Sequence, residues 1–180
     1  MHDIKGTNNG TLNSGATYAS GKVGQAFSVN GNTGSIVVVP DNASLNFAPN
    51  SPITIELWAY RTGTNWAQHL LGKRDNCGTA FINDVNYHIG WLSTDGDWFG
   101  SYQGNAVTGG READLPLNTW THLSGTFDGT TLKFYVNGTL AGTGTGTLGP
   151  IFATPFTIGT SGTCGNYGQG FVGMLDEVSL

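Results

Sequence analysis

The sequence predicts an all-β domain, a two-sheet sandwich or a barrel, on three observations. Hairpin signals recur. Asp128-Gly129 and Asn137-Gly138 punctuate WTHLSGTFDGTTLKFYVNGTLAG (120–142), and both dipeptides tolerate the positive φ that tight hairpins need. Between those turns Leu132, Phe134 and Val136 alternate with Lys133, Tyr135 and Asn137. That period of two buries one face and wets the other, so the stretch reads as a three-stranded meander. Third, no window holds a sustained 3.6-residue apolar period. The chain carries 29 glycines and only 11% charged residues, which gives helices little to work with.

The candidate strands follow in order, each a β-branched or aromatic run bounded by turn residues. They are AFSVN (26–30), SIVVV (35–39), ITIELWAYR (53–61), HLLGKR (69–74), YHIGWLS (87–93), WFGSYQ (98–103), THLSGTF (121–127), TLKFYVN (131–137), TLAGT (139–143), FTIGT (156–160) and FVGMLDEVSL (171–180). NASLNFAP (42–49) reads as one short helical turn before Pro49, and GTGTGTLG (142–149) as a loop. The sequons at Asn9, Asn42 and Asn137 read as turn chemistry.

With 180 residues, no repeat and no dividing linker, residues 1–180 form one domain with a sizeable core. A formal net charge of −5 and a pI near 5.1 argue against nucleic-acid binding, which needs a basic face. No apolar stretch approaches the roughly 20 residues that span a bilayer. Met1-His2-Asp3 opens no signal peptide, so the chain reads as either a cytosolic protein or, the favoured reading, a module excised from a larger secreted or surface protein. Cys77 and Cys164 sit in the glycine-rich loops DNCGT and GTCGN without metal-site spacing. A disulfide between them fits a secreted character, with two free thiols as the alternative. Closing almost half the chain would stabilise it by roughly 4 kcal/mol in the chain-entropy account.

The order of motifs resembles the laminin-G-like branch of the concanavalin A-like lectin/glucanase superfamily. The opening HDIKGTNNGTL (2–12), then VGQAFSVNGNTGSIVVVP (23–40), ITIELWAYRT (53–62), the Trp-x-His…Asp-Gly…Tyr-Val-Asn-Gly segment at 120–142 and the closing FTIGT and FVGMLDEVSL carry the resemblance over nearly the whole chain. It implies a two-sheet antiparallel jelly-roll β-sandwich with one concave sheet. Members of that superfamily include glycan-binding modules, adhesion domains and glycosidases, so function has to come from the site.

Catalysis of glycoside hydrolysis needs two carboxyl groups flanking the bond. The E-x-D-x-x-E strand of the superfamily's enzymes is absent, and Glu56 is the one acid in ITIELWAYR. Sugar binding needs aromatic rings for the apolar ring faces, with amides, carboxylates and guanidinium groups for the hydroxyls. Three of the five tryptophans fall in 66–111 with such groups. The candidate ligand residues are Trp66, Arg74, Asn76, Trp91, Asp97, Trp98, Tyr102, Arg111 and Tyr167. A Cys77–Cys164 bridge would hold the loop GKRDNCG (72–78) against SGTCGNYGQG (161–170) as one rigid rim. The resemblance also implies a structural Ca2+ where the first and last segments meet, with Asp3 and Asp176 matching its acids by motif position. The leading expectation is a non-catalytic carbohydrate-binding or adhesion module whose partner is a glycan. The alternatives are a protein-interaction or spacer domain and a polysaccharide-degrading hydrolase.

Overall fold

The computed structural model describes residues 3–32, 34–75, 85–93, 96–100, 107–108, 110, 115–160, 162 and 169–180. Its strands, in chain order, are β1 (Thr11–Leu12), β2 (Thr17–Ser20), β3 (Gln25–Asn30), β4 (Val37–Val39), β5 (Ile53–Arg61), β6 (Ala67–Arg74), β7 (Val85–Leu92), β8 (Gly96–Gly100), β9 (Val107–Thr108), β10 (Trp120–Phe127), β11 (Thr131–Val136), β12 (Thr139–Thr145), β13 (Phe156–Ile158) and β14 (Val172–Ser179). They form two seven-stranded sheets. Sheet A has the order β1-β4-β13-β6-β7-β8-β9 and sheet B the order β12-β11-β10-β5-β14-β3-β2. All strand pairs are antiparallel, and the chain crosses repeatedly between sheets, as the jelly roll requires.

The core lies between the inner faces. Leu57, Leu123 and Phe134 of sheet B meet Leu71, Ile89, Trp91 and Phe99 of sheet A in one cluster of buried residues. β5 and β10 alternate buried and less buried positions along their whole length, so each contributes one face. Gly125 of β10 leaves the room that the Phe99 ring fills from the other sheet.

The turns follow their chemistry. Asn137 and Gly138 take φ of 50° and 78°, the primed geometry expected between β11 and β12. The Asp128-Gly129 turn differs. Gly129 has positive φ (105°), while Asp128 Oδ1 accepts the N–H groups of Thr130 and Thr131. Asn42 caps a 3-10 turn at Ala43–Leu45, accepting from the Ser44 N–H. The segment expected as a loop at 142–149 is strand through Thr145, because β12 continues its pairing with β11 as far as Thr131.

Candidate functional site

The parity of sheet A decides what its outer face carries. His69 pairs with Gly90, and Gly90 with Trp98. One row further, Thr157 pairs with Gly72, Gly72 with His88, and His88 with Gly100. Rings therefore alternate with glycines across the strands. The glycines are what let the rings lie down on the sheet. A Cβ at Gly90 would stand 2.9 Å from Trp98 Nε1, and one at Gly72 would run into His88 and the Tyr87 backbone. The resulting cluster is tight. His88 and Trp98 have ring centroids 3.7 Å apart, and His69 lies 5.4 Å from His88.

Polar groups complete the cluster. His69 Nε2 shares a 2.9 Å hydrogen bond with Gln169 Oε1, and the His69 N–H donates to the Gln169 carbonyl at 2.7 Å. Arg74 stands beside both histidines, close enough to oppose their protonation. Burial pushes the His69 pKa down to about 4, with the Gln169 bond working against that shift. Burial, then His69 and Arg74, hold His88 well below its ordinary value. Both imidazoles are neutral near pH 7. His69, Arg74, His88 and Trp98 are all at most 5% exposed.

Parity also corrects the sequence reading. Trp91 pairs with Gln68 and Asp97, on the face turned to the other sheet. It is buried in the core and carries the Arg61 guanidinium 3.9 Å above its ring. Arg61 itself donates through Nε to the Leu115 carbonyl at 2.9 Å. Trp91 and Asp97 thus belong to the interior and offer nothing to a ligand on the outer face. Trp98 and Arg74 do join the outer cluster. Trp66 is 65% exposed on the β5–β6 connection, its carbonyl accepting the Ser93 N–H. Asn76, Tyr102, Arg111, Tyr167, Cys77 and Cys164 lie outside the described residues. His69, His88 and Gln169 were not among the sequence candidates, because nothing local marks residues so far apart as neighbours.

Asp3 and Asp176 line the same cavity of about 880 Å3, with Asn8, Asn42, Ser44 and Glu177 on its polar side and Phe27, Leu45 and Phe156 on its apolar side. Asp3 accepts the N–H groups of Lys5 and Asn8, and these bonds hold its carboxyl below the usual range. Asp176 accepts those of Val23 and Glu177, each at 2.9 Å. Carboxylate, amide and hydroxyl oxygens of this kind are the chemistry calcium accepts. Among the described residues, however, no three of His, Cys, Asp and Glu are grouped so as to hold a metal ion.

Comparison with known proteins supplies the context. A family model described as the concanavalin A-like lectin/glucanases superfamily matches residues 30–180. No curated protein matches the chain in sequence. Among solved structures, domain 4 of AbnA, a GH43 extracellular arabinanase from Geobacillus stearothermophilus in complex with arabinotriose, superposes with a TM-score of 0.65 at 24% identity, covering 96% of this chain and 81% of that one. The binding domain of Paraclostridial Mosquitocidal Protein 1 gives 0.70 at 18% identity, covering 97% of this chain and 44% of that one. The carbohydrate-binding module CBM66 from Bacillus subtilis gives 0.51 at 16% identity, over 94% and 92% of the two chains. At these identities the likeness is one of fold.

Proposed function

The chain belongs to the concanavalin A-like lectin/glucanases superfamily, and from that premise we propose that it is a non-catalytic carbohydrate-binding module of a secreted or surface protein. The observation that carries this reading is the outer face of sheet A. An indole, two neutral imidazoles, an amide and a guanidinium converge there from β6, β7, β8 and the segment before β14. These are the groups that a sugar's apolar face and hydroxyls require. Polar side chains kept this dry are costly unless satisfied, and titratable groups perturbed by burial gather at functional sites. Trp98 would stack on the ring, while His69, His88 and Arg74 would address hydroxyls. Trp66 would add an exposed stacking surface at the end of the sheet. Ligand entry then has to open a face that is dry in the free protein.

Glu56, the acid weighed for catalysis, sits on the opposite sheet and is engaged by Ser179 and His122. This supports binding over hydrolysis.

The test is calorimetry and a glycan array on the wild-type chain and on Trp98→Ala and Arg74→Gln, with arabinotriose among the probes and folding followed by circular dichroism. Binding in the wild type that both folded variants lose supports the assignment. A silent array with calcium present removes the glycan reading and leaves a protein-interaction module. For the calcium itself, Asp3 and Asp176 would contribute their remaining lone pairs beside backbone carbonyls. Chelator should then lower the melting temperature. An unchanged melting curve takes the metal out of the account.

A further inference from the structure

We propose that Gln68 is a positioning residue of the sheet A site, a buried amide that holds the exposed Trp66 and the His69–Gln169 pair at the spacing one ligand needs. The inference rests on the sugar-binding reading of that site and deepens it.

Gln68 and His69 are neighbours on β6, so their side chains leave opposite faces of the sheet. Gln68 shares its row with Trp91 and Asp97 on the inward face, and His69 points outward. Both reach the same segment. His69 bonds Gln169 through its ring and through its N–H, and forms a parallel bridge with Gly170. Gln68 Oε1 accepts the Val172 N–H at 2.9 Å. Residues 169–172 are thus held from both sides where the chain leaves sheet A and enters β14 of sheet B. The nitrogen of the same amide turns to the β5–β6 connection. Gln68 Nε2 donates to the Gly63 carbonyl at 3.1 Å and to the Asn65 carbonyl at 3.5 Å. Asn65 directly precedes the exposed Trp66. The connection also rests on the crossover itself. The Thr62 and Gly63 N–H groups donate to the Val172 carbonyl at 2.9 and 3.2 Å, and a Cβ at Gly63 would stand 2.4 Å from Val172 Cβ.

Gln68 is buried, so its bonds form in a dry medium where each is strong and an unmade one is costly. Packing alone does not call for an amide here, because an unbranched apolar side chain of similar volume would fill the same space. What the amide adds is direction. Its oxygen takes an N–H from the crossover, and its nitrogen gives to carbonyls of the connection. One rigid planar group therefore sets the distance between the two segments. Stacking on one ring while bonding hydroxyls from another segment demands such a fixed distance. Gln68 faces the interior and acts through Trp66 and Gln169, not by touching the sugar.

The test is nuclear magnetic resonance and calorimetry on the full chain with arabinotriose, xylotriose and cellotriose in turn. In the wild type, saturation should move the Gln68 side-chain amide signals together with the Trp66 indole and His69 imidazole signals. Gln68→Met keeps the volume and removes the bonds to Gly63, Asn65 and Val172. It should weaken binding about tenfold and shift the Trp66 and His69 signals even without sugar. Gln68→Glu still accepts the Val172 N–H but gives nothing to Gly63 and Asn65, so it should displace the Trp66 signal more than that of His69. Leu132→Ala opens a cavity in the core under β11 and should lower stability while leaving affinity and these signals in place. Equal affinity in wild type and folded Gln68→Met overturns this role and leaves the sugar site standing. So does a Gln68 amide that stays still while the wild type saturates, or a Leu132→Ala loss of affinity as large as that of Gln68→Met. A wild type that binds none of the three sugars removes the sheet A reading and this role with it.

Discussion

Along β5 and β10 the buried positions alternate with more open ones, whereas along β6, β7 and β8 nearly every residue is buried on both faces. Histidines make the contrast concrete. His122 on sheet B is 26% exposed and faces a carboxylate. His69 and His88 on sheet A are dry and neutral, with a guanidinium nearby instead. Both sheets mix aromatic with polar side chains on their outer faces. They differ in what water can reach. On sheet B polar groups cost little and tolerate change. On sheet A each is desolvated, so each depends on the partners the protein gives it, as His69 does on Gln169.

The comparison breaks most visibly at tryptophan. Trp98→Ala should destabilise by about 3–5 kcal/mol, as expected for a large buried ring. Trp120→Ala, half-buried, should lose about 1 kcal/mol. Urea melts of both variants decide it, and equal losses would mean that the two faces are not differently buried.

Acid should sharpen the same contrast. The His69 pKa is lowered from 6.5 to about 4 on folding. Its contribution is present in full above pH 6.5 and is lost as pH falls toward 4, by about 3 kcal/mol. His88 acts in the same direction. His69→Gln should therefore flatten the stability profile between pH 6.5 and 4. A wild-type profile flat over that window would contradict the buried, neutral pair.

Glycines give a smaller, cleaner effect. Gly90→Ala puts a Cβ 2.9 Å from Trp98 Nε1 and 3.0 Å from Cε2. It should cost about 1–3 kcal/mol and lift the indole off the sheet. Gly138→Ala meets nothing within 4 Å but sits at φ 78°. Its cost should be about 1 kcal/mol, from backbone conformation alone. Indole fluorescence separates the two, since only the first should move a tryptophan.

Much of this architecture was legible. β5 runs over the residues that alternation marks at 53–61, and Asn137-Gly138 turns as its composition demands. The edges were harder to read. TYAS at 17–20 has too little apolar content to announce β2, and the end of β12 beyond TLAGT (139–143) hides in a threonine-glycine run held by its partner strand. Side-chain direction at the site was not legible at all. Trp91 and Trp98 look alike in sequence, yet register turns one inward and the other outward. His69 and His88 meet because β6 pairs with β7 so that His69 stands opposite Gly90, two residues along from His88 on the same face. That register has no local signature.

The central claim is tested most directly by following the imidazole resonances of the nitrogen-15-labelled protein during titration with neutral trisaccharides. The account predicts that the His69 and His88 signals move together with saturation while His122 stays in place. Saturable binding that shifts His122 and leaves His69 and His88 unmoved would contradict it.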